Sequence, residues 1–169
     1  MNKHIHVSLF ILLTGFTSTC YSQATATATA TATVVTPITI TKTADMSFGN
    51  IAVSASTGGT VVLAPAGTRT STSGVTLPAT TGTVTAAAFR VDGTGSYTYA
   101  ITLPSTTTLT RASGSETMTA NSFTSNPSAT GALSSGTQNI AVGATLTVAA
   151  GQVAGIYTSG NFSVTVNYN

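Results

Sequence analysis

Cysteine occurs once, histidine twice and tryptophan not at all in these 169 residues. Cys20, His4 and His6 all lie in the first 24 residues, which have the form of an export signal. Lys3 and the two histidines give a short basic start, and Val7 to Leu13 is an apolar run broken by one serine. Ser22-Gln23-Ala24 then offers small residues at the two positions that signal peptidase reads. Cleavage after Ala24 is the expected event, with cleavage after Ser22 as the alternative. Removing 24 residues leaves 145, enough for one domain with a proper core. That remainder has no histidine or cysteine, so it builds neither a Ser–His–Asp or Cys–His site nor a zinc site of those ligands. It also has no disulfide, so packing and hydrogen bonds must hold an exported fold together. Cys20 is a poor lipid-attachment site, because Thr17 and Thr19 stand where a lipobox wants a Leu-like and a small residue.

Charge is the second scarcity. The remainder carries Lys42, Arg69, Arg90 and Arg111 against Asp45, Asp92 and Glu116. A net of +1, dispersed along the chain, excludes a nucleic-acid footprint. Lys42 is the only lysine left, and no Ser-x-x-Lys precedes it. The three carboxylates could in principle supply a glycosidase pair. Asp92, however, stands in a turn signal, Asp45 lies close to Lys42, and Glu116 is alone in a Thr/Ser-rich segment. No acidic or Asp/Asn cluster suits calcium, and Gly93-x-Gly95 lacks the third glycine and helix of a dinucleotide fingerprint. The expectation is a non-enzyme with no catalytic residues, cofactor or metal. Long apolar runs are missing too. Val7 to Leu13 falls short of the ~20 residues a spanning helix needs, and no later stretch qualifies.

What is present is a period of two. The last ten residues alternate Phe162, Val164, Val166 and Tyr168 with Asn161, Ser163, Thr165, Asn167 and Asn169. Side chains on a strand point to opposite faces, so this is a half-buried strand over 160–169 with an aromatic and β-branched core face. At the other end, Ala24 to Thr33 is an Ala/Thr repeat, and the alternation continues through Val34, Ile38 and Ile40 to Thr41. The repeat has two readings. Methyl groups recover little hydrophobic energy, which suits a flexible, solvated leader. The period of two suits an extra strand that pairs with another subunit. Pro37 marks an edge or a strand start.

Between these ends the chain reads as short strands and turns. Met46–Phe48, Ile51–Val53, Thr60–Ala64 and Val75–Leu77 come first, then a long run over Thr83–Val91. Asp92-Gly93-Thr94-Gly95 has the chemistry of a hairpin turn into Tyr97–Leu103. Tyr97 and Tyr99 share a face with Ile101 and Leu103, which favours the core over a sugar-binding platform. Glu116–Phe123 is weaker, and two further strands, Thr137–Val142 and Ala144–Ala150, lie about Gly143. Helical spacing with caps is absent. The pattern predicts an all-β antiparallel sandwich. The expected organisation is a signal at 1–24, an Ala/Thr leader at 25–33 and one domain over 34–169.

A set of short motifs then carries a resemblance. They are Phe48-Gly49, Gly59–Leu63, Phe89-Arg-Val91 with Gly93, Tyr97–Pro104, Met118, Val142–Leu146 and Gly155–Tyr168. From about Val34 to Tyr168 the chain resembles the secreted bacterial domain of unknown function 4402 family. Its closing Gly-x-Tyr…Val-Thr-Val-x-Tyr is also similar to the end of spore coat protein U-like pilins and common-pilus major subunits. The pilin likeness implies an immunoglobulin-like sandwich and a place in surface fibres built by donor-strand exchange. The family has no settled activity, so no catalytic residue is carried over.

The expected function is a structural or adhesive subunit of the bacterial cell surface, exported to the periplasm, the cell surface or beyond. Its partners would be itself or other fibre subunits. Val34, Ile38 and Ile40 are the candidate strand-donor residues, and Phe162, Val164, Val166 and Tyr168 the candidate core of the C-terminal strand. The alternative is a monomeric secreted sandwich that binds a glycan or a protein. Such a module would present Tyr97, Tyr99 or Tyr157 to solvent and tolerate loss of the leader.

Overall fold

A computed structural model describes residues 21–169. The signal expected at 1–24, with His4, His6 and Cys20, lies almost wholly outside the described residues. The chain divides into two units, 1–33 and 34–169. Of the first, residues 21–33 carry no strand or helix and are exposed throughout.

The second unit is built of β-strands alone among the described residues. In chain order they are β1 (Thr39–Ala44), β2 (Ser47–Phe48), β3 (Ala52–Val53), β4 (Gly59–Leu63), β5 (Arg69–Ser73) and β6 (Val75–Thr76). Next come β7 (Val84–Thr85), β8 (Ala87–Asp92), β9 (Thr98–Thr102), β10 (Thr106–Arg111) and β11 (Thr117–Asn126). β12 (Thr130–Ala132), β13 (Thr137–Val148), β14 (Tyr157–Ser159) and β15 (Thr165–Tyr168) complete the set. Every strand pair is antiparallel.

The large sheet runs β1-β8-β13-β11-β10-β14, with β4 and β5 added beside β13. A second sheet has the order β12-β9-β15, and two short pairs, β2-β7 and β3-β6, stand apart from both. The two larger sheets pack face to face. Phe89, Val91, Ile140 and Val142 of the large sheet share one buried cluster with Tyr99, Ile101, Val164 and Val166 from the other side. A second cluster lies farther along the large sheet. There Val61, Leu63, Leu146 and Val148 are covered by Phe48 and Val75 of the short pairs. Alternation of apolar and polar residues explains the layering: β8 reads Ala87, Phe89 and Val91 inward, with Arg90 outward.

The C-terminal segment keeps the expected alternation but not the expected strand length. Val164 and Val166 are buried, and Phe162 and Tyr168 pack against the same cluster. Regular pairing with β9 starts only at Thr165. Residues 160–164 cross from the large sheet, where β14 lies, to the second sheet, where β15 lies, so they serve neither ladder.

Three other expectations are corrected. Asp92–Gly95 is not a hairpin turn, because β8 pairs with β1 and β13 while β9 pairs with β12 and β15. The turn instead carries the chain from one sheet to the other, held by Gly93 N–H to the Gly136 carbonyl at 2.8 Å. The two strands expected about Gly143 are one strand, β13. Gly143 marks the place where its neighbour changes from β8 to β4. A Cβ there would strike the Leu63 carbonyl oxygen, so the close approach needs glycine. The long run over Thr83–Val91 is divided at Ala86 into β7 and β8, which serve different sheets.

Candidate functional site

The three carboxylates do not form a constellation. Asp45 pairs with Lys42 at 2.6 Å, Asp92 with Arg90 at 2.8 Å, and Glu116 with Arg111 at 2.6 Å. The last pair is the most sheltered and is bidentate, with a second bond at 3.1 Å. Hydrogen bonding to Arg111 holds the Glu116 carboxyl below the usual carboxylate range, and the same bond raises the guanidinium. Arg69 bonds to the carbonyls of Phe48, Asn50 and Thr81, which ties the 48–50 loop to the 80–82 loop. No group of three or more His, Cys, Asp or Glu that could hold a metal is found among the described residues.

The aromatic residues separate by burial. Tyr99 is fully buried beneath Gly131, where a Cβ would strike its ring, and its hydroxyl donates to Gln138 Oε1 at 2.7 Å. Burial pushes its phenol up. Tyr157 is half-buried, donating to the Val153 carbonyl and accepting from Gln152 Nε2. Tyr97 remains 48% exposed, tilted against Tyr168 with ring centroids 5.6 Å apart.

The open feature of the fold is a groove on the face of the large sheet. Its two parts, of about 800 and 450 Å³, share Met46, Phe48, Leu109, Tyr157 and Thr158 in their linings and so are continuous. Half-buried Leu109 and Met118 of β10 and β11 give it an apolar lining, beside Leu146 and Val148 of β13, which are themselves buried. Residues 46–53 and 152–162 also line it. Val153 and Ile156 stand at the rim, 45% and 74% exposed. Nothing in the primary structure advertised this site, because Leu109 and Met118 lie in Thr-rich runs with weak alternation.

The donor candidates fall into two classes. Ile38 and Ile40 pack against the first cluster of their own domain, and Ile40 is paired opposite Val91. Val34 is 95% exposed. The chain becomes tied down at Thr36, whose N–H donates to Thr94 Oγ1 at 3.0 Å. The Thr36 carbonyl accepts from the Tyr168 hydroxyl at 3.1 Å. Everything from Tyr21 to Val34 is exposed.

The family model described as Domain of unknown function (DUF4402) matches residues 38–168, from the residue before β1 to the end of β15. No curated protein and no solved structure matches the chain. No helix among the described residues is long and apolar enough to cross a membrane.

Proposed function

Because the chain belongs to the DUF4402 family, whose description names no activity, we propose its function on physical grounds: a non-enzymatic structural or adhesive subunit of the bacterial cell surface, associating with its neighbours through the N-terminal leader. The observation that carries this reading is the leader itself. Residues 24–34 keep a strand's period of two, with Ala24, Ala26, Ala28, Ala30, Ala32 and Val34 on one face, yet they are exposed and belong to no strand of their own chain. An exported protein that keeps such a segment beside a folded domain has a ready-made strand for another sheet. The pairing of each carboxylate with its own cation supports a non-enzymatic role.

Magnitudes bound the association. The four alanine methyls after Ala24, removed from water, contribute roughly 3 kcal/mol, and Val34 roughly 2 more. Ordering and docking the segment cost at least as much. Net affinity therefore rests on backbone hydrogen bonds.

The test is particle size. Light scattering and negative-stain electron microscopy compare Thr25–Asn169 with Val34–Asn169. The second chain starts at Val34 because a cut at Thr41 would strip Ile38 and Ile40 from the core. Higher-order species from the longer chain alone are expected. Identical monomers from both would refute the proposal. The rival binding module would have to rely on Tyr97 and the half-buried Tyr157 for a platform, since Tyr99 is buried.

A further inference from the structure

We infer that the outer face of the large sheet binds the surface of ice, through a two-dimensional array of threonines. This role goes beyond assembly and involves neither the leader nor the groove.

The array follows from strand register. Thr72, Thr60, Thr147, Thr119 and Thr108 stand opposite one another in turn across β5, β4, β13, β11 and β10. A second row, Thr70, Val62, Thr145, Asn121 and Thr106, lies two residues along each strand. Thr110 and Thr117 add a short third row on the other flank. Alternation turns these side chains outward, since their strand neighbours Val61, Ala120, Leu146 and Val148 are buried. Thr60 and Thr72 show the alignment directly, with hydroxyl oxygens 2.7 Å apart.

A threonine-rich chain puts threonine on many exposed strands, so the contrast within this one sheet decides. Where β8 pairs with β13, the outward positions hold Ala88, Arg90 and Asp92 opposite Ala141, Asn139 and Thr137. That half is mixed in chemistry and carries the Arg90–Asp92 ion pair. The three rows from β5 to β10 hold no charged and no aromatic side chain.

Three properties commit the array to an ice surface. The first is its repeat. Neighbouring strands stand ~4.8 Å apart, and alternate residues on one strand ~6.8 Å apart. These two repeats, at right angles, lie close to those of the oxygen atoms on a prism face of hexagonal ice. A peptide or a single sugar chain repeats in one direction only and would leave most of the array unused. The second is neutrality. An uncharged lattice is complemented by an uncharged face, because a charge pressed against it would lose hydration without gaining a partner. The third is the threonine side chain itself. Its β-branch restricts χ1, so hydroxyls and methyls repeat in fixed directions. The hydroxyl both donates and accepts, as lattice water does. Sheet twist turns each strand by about 20–25° relative to the next. The match is therefore closest on the central strands β4, β13 and β11, and Thr60, Thr147 and Thr119 matter most.

The test is ice partition of the chain Thr25–Asn169, carrying a fluorophore at its N-terminus. Polycrystalline ice is grown slowly from a dilute solution, and label in the ice is compared with label left in the liquid. The expected result is enrichment in the ice above that of an unrelated labelled protein, with slowed recrystallisation on annealing. Thr119→Tyr combined with Thr147→Tyr should abolish both effects, because two rings at the centre hold the rows off the lattice. Thr41→Tyr, exposed on β1 of the same sheet and outside the array, should abolish neither. Tyrosine is favoured on strands, and matching thermal melts show that each variant is folded. Exclusion of the parent chain from ice overturns the proposal. Enrichment that the double variant keeps, or that Thr41→Tyr loses equally, also overturns it. Retention on microcrystalline cellulose with exclusion from ice overturns it in favour of a polysaccharide lattice. The chain Val34–Asn169 should partition as the longer chain does, so this result and the assembly test stand or fall separately.

Discussion

Tyr99 shows how much a single side chain can reveal about this fold. It is the largest fully buried side chain, and its hydroxyl still finds Gln138 Oε1, which also accepts from the Ala132 N–H at 2.9 Å. The buried phenol keeps its proton to higher pH than the unfolded chain does. Its contribution to stability is therefore intact below about pH 10, the ordinary tyrosine value, and is lost as pH rises from there through the folded-state value. Tyr99→Phe should cost about 1 kcal/mol at neutral pH, from the lost hydrogen bond. It should also flatten the alkaline limb, as read by urea unfolding between about pH 8 and 11, either side of the ordinary tyrosine value. Glu116 acts in the opposite direction. Its carboxyl is depressed by Arg111, so the stabilisation is present above the ordinary carboxylate value and is lost as pH falls through the folded-state value. Melting curves between about pH 2 and 7, a span that brackets the ordinary carboxylate value, should show a shallower acid decline for Glu116→Gln than for the parent chain.

Among the elements, β1 and the leader before it divide one continuous alternation into two fates. Ile38 and Ile40 sit under the sheet and Val34 stands in water, although all three are even-numbered members of one pattern. Ile40→Ala should lower the folding free energy by roughly 2 kcal/mol, because it removes packing beneath an edge strand. Val34→Ala should leave folding within about 0.5 kcal/mol of the parent, as exposed positions do. Chemical denaturation of the two variants side by side checks the contrast. The same division marks what was legible beforehand. Period-two runs with β-branched residues located β4, β8, β9 and the buried face of the C-terminal segment. β5, β10, β12 and β14 went unseen, because Thr- and Ser-rich or very short runs such as Arg69–Ser73 and Thr106–Arg111 carry too little apolar contrast. The Asp92–Gly95 signal was real turn chemistry, but local residues do not say which sheet the next strand joins. The groove was illegible for a related reason: its lining joins residues 46–53 to Leu109, Met118 and residues 152–162, segments that only long-range topology brings together.

The whole molecule joins a described domain of antiparallel sheets to a leader with strand patterning and no strand partner of its own. Among the described residues every charged side chain but Arg69 is in a local ion pair, so steering by a strong field is a minor influence. Assembly should accordingly depend weakly on salt and strongly on the leader. The most direct measurement is amide hydrogen exchange of residues 25–34 in the chain Thr25–Asn169, followed by mass spectrometry from low to high protein concentration. Strand pairing with a neighbour predicts leader amides whose exchange slows by about tenfold or more as concentration rises. Leader amides that exchange at the rate of an unstructured peptide at every concentration would contradict the account.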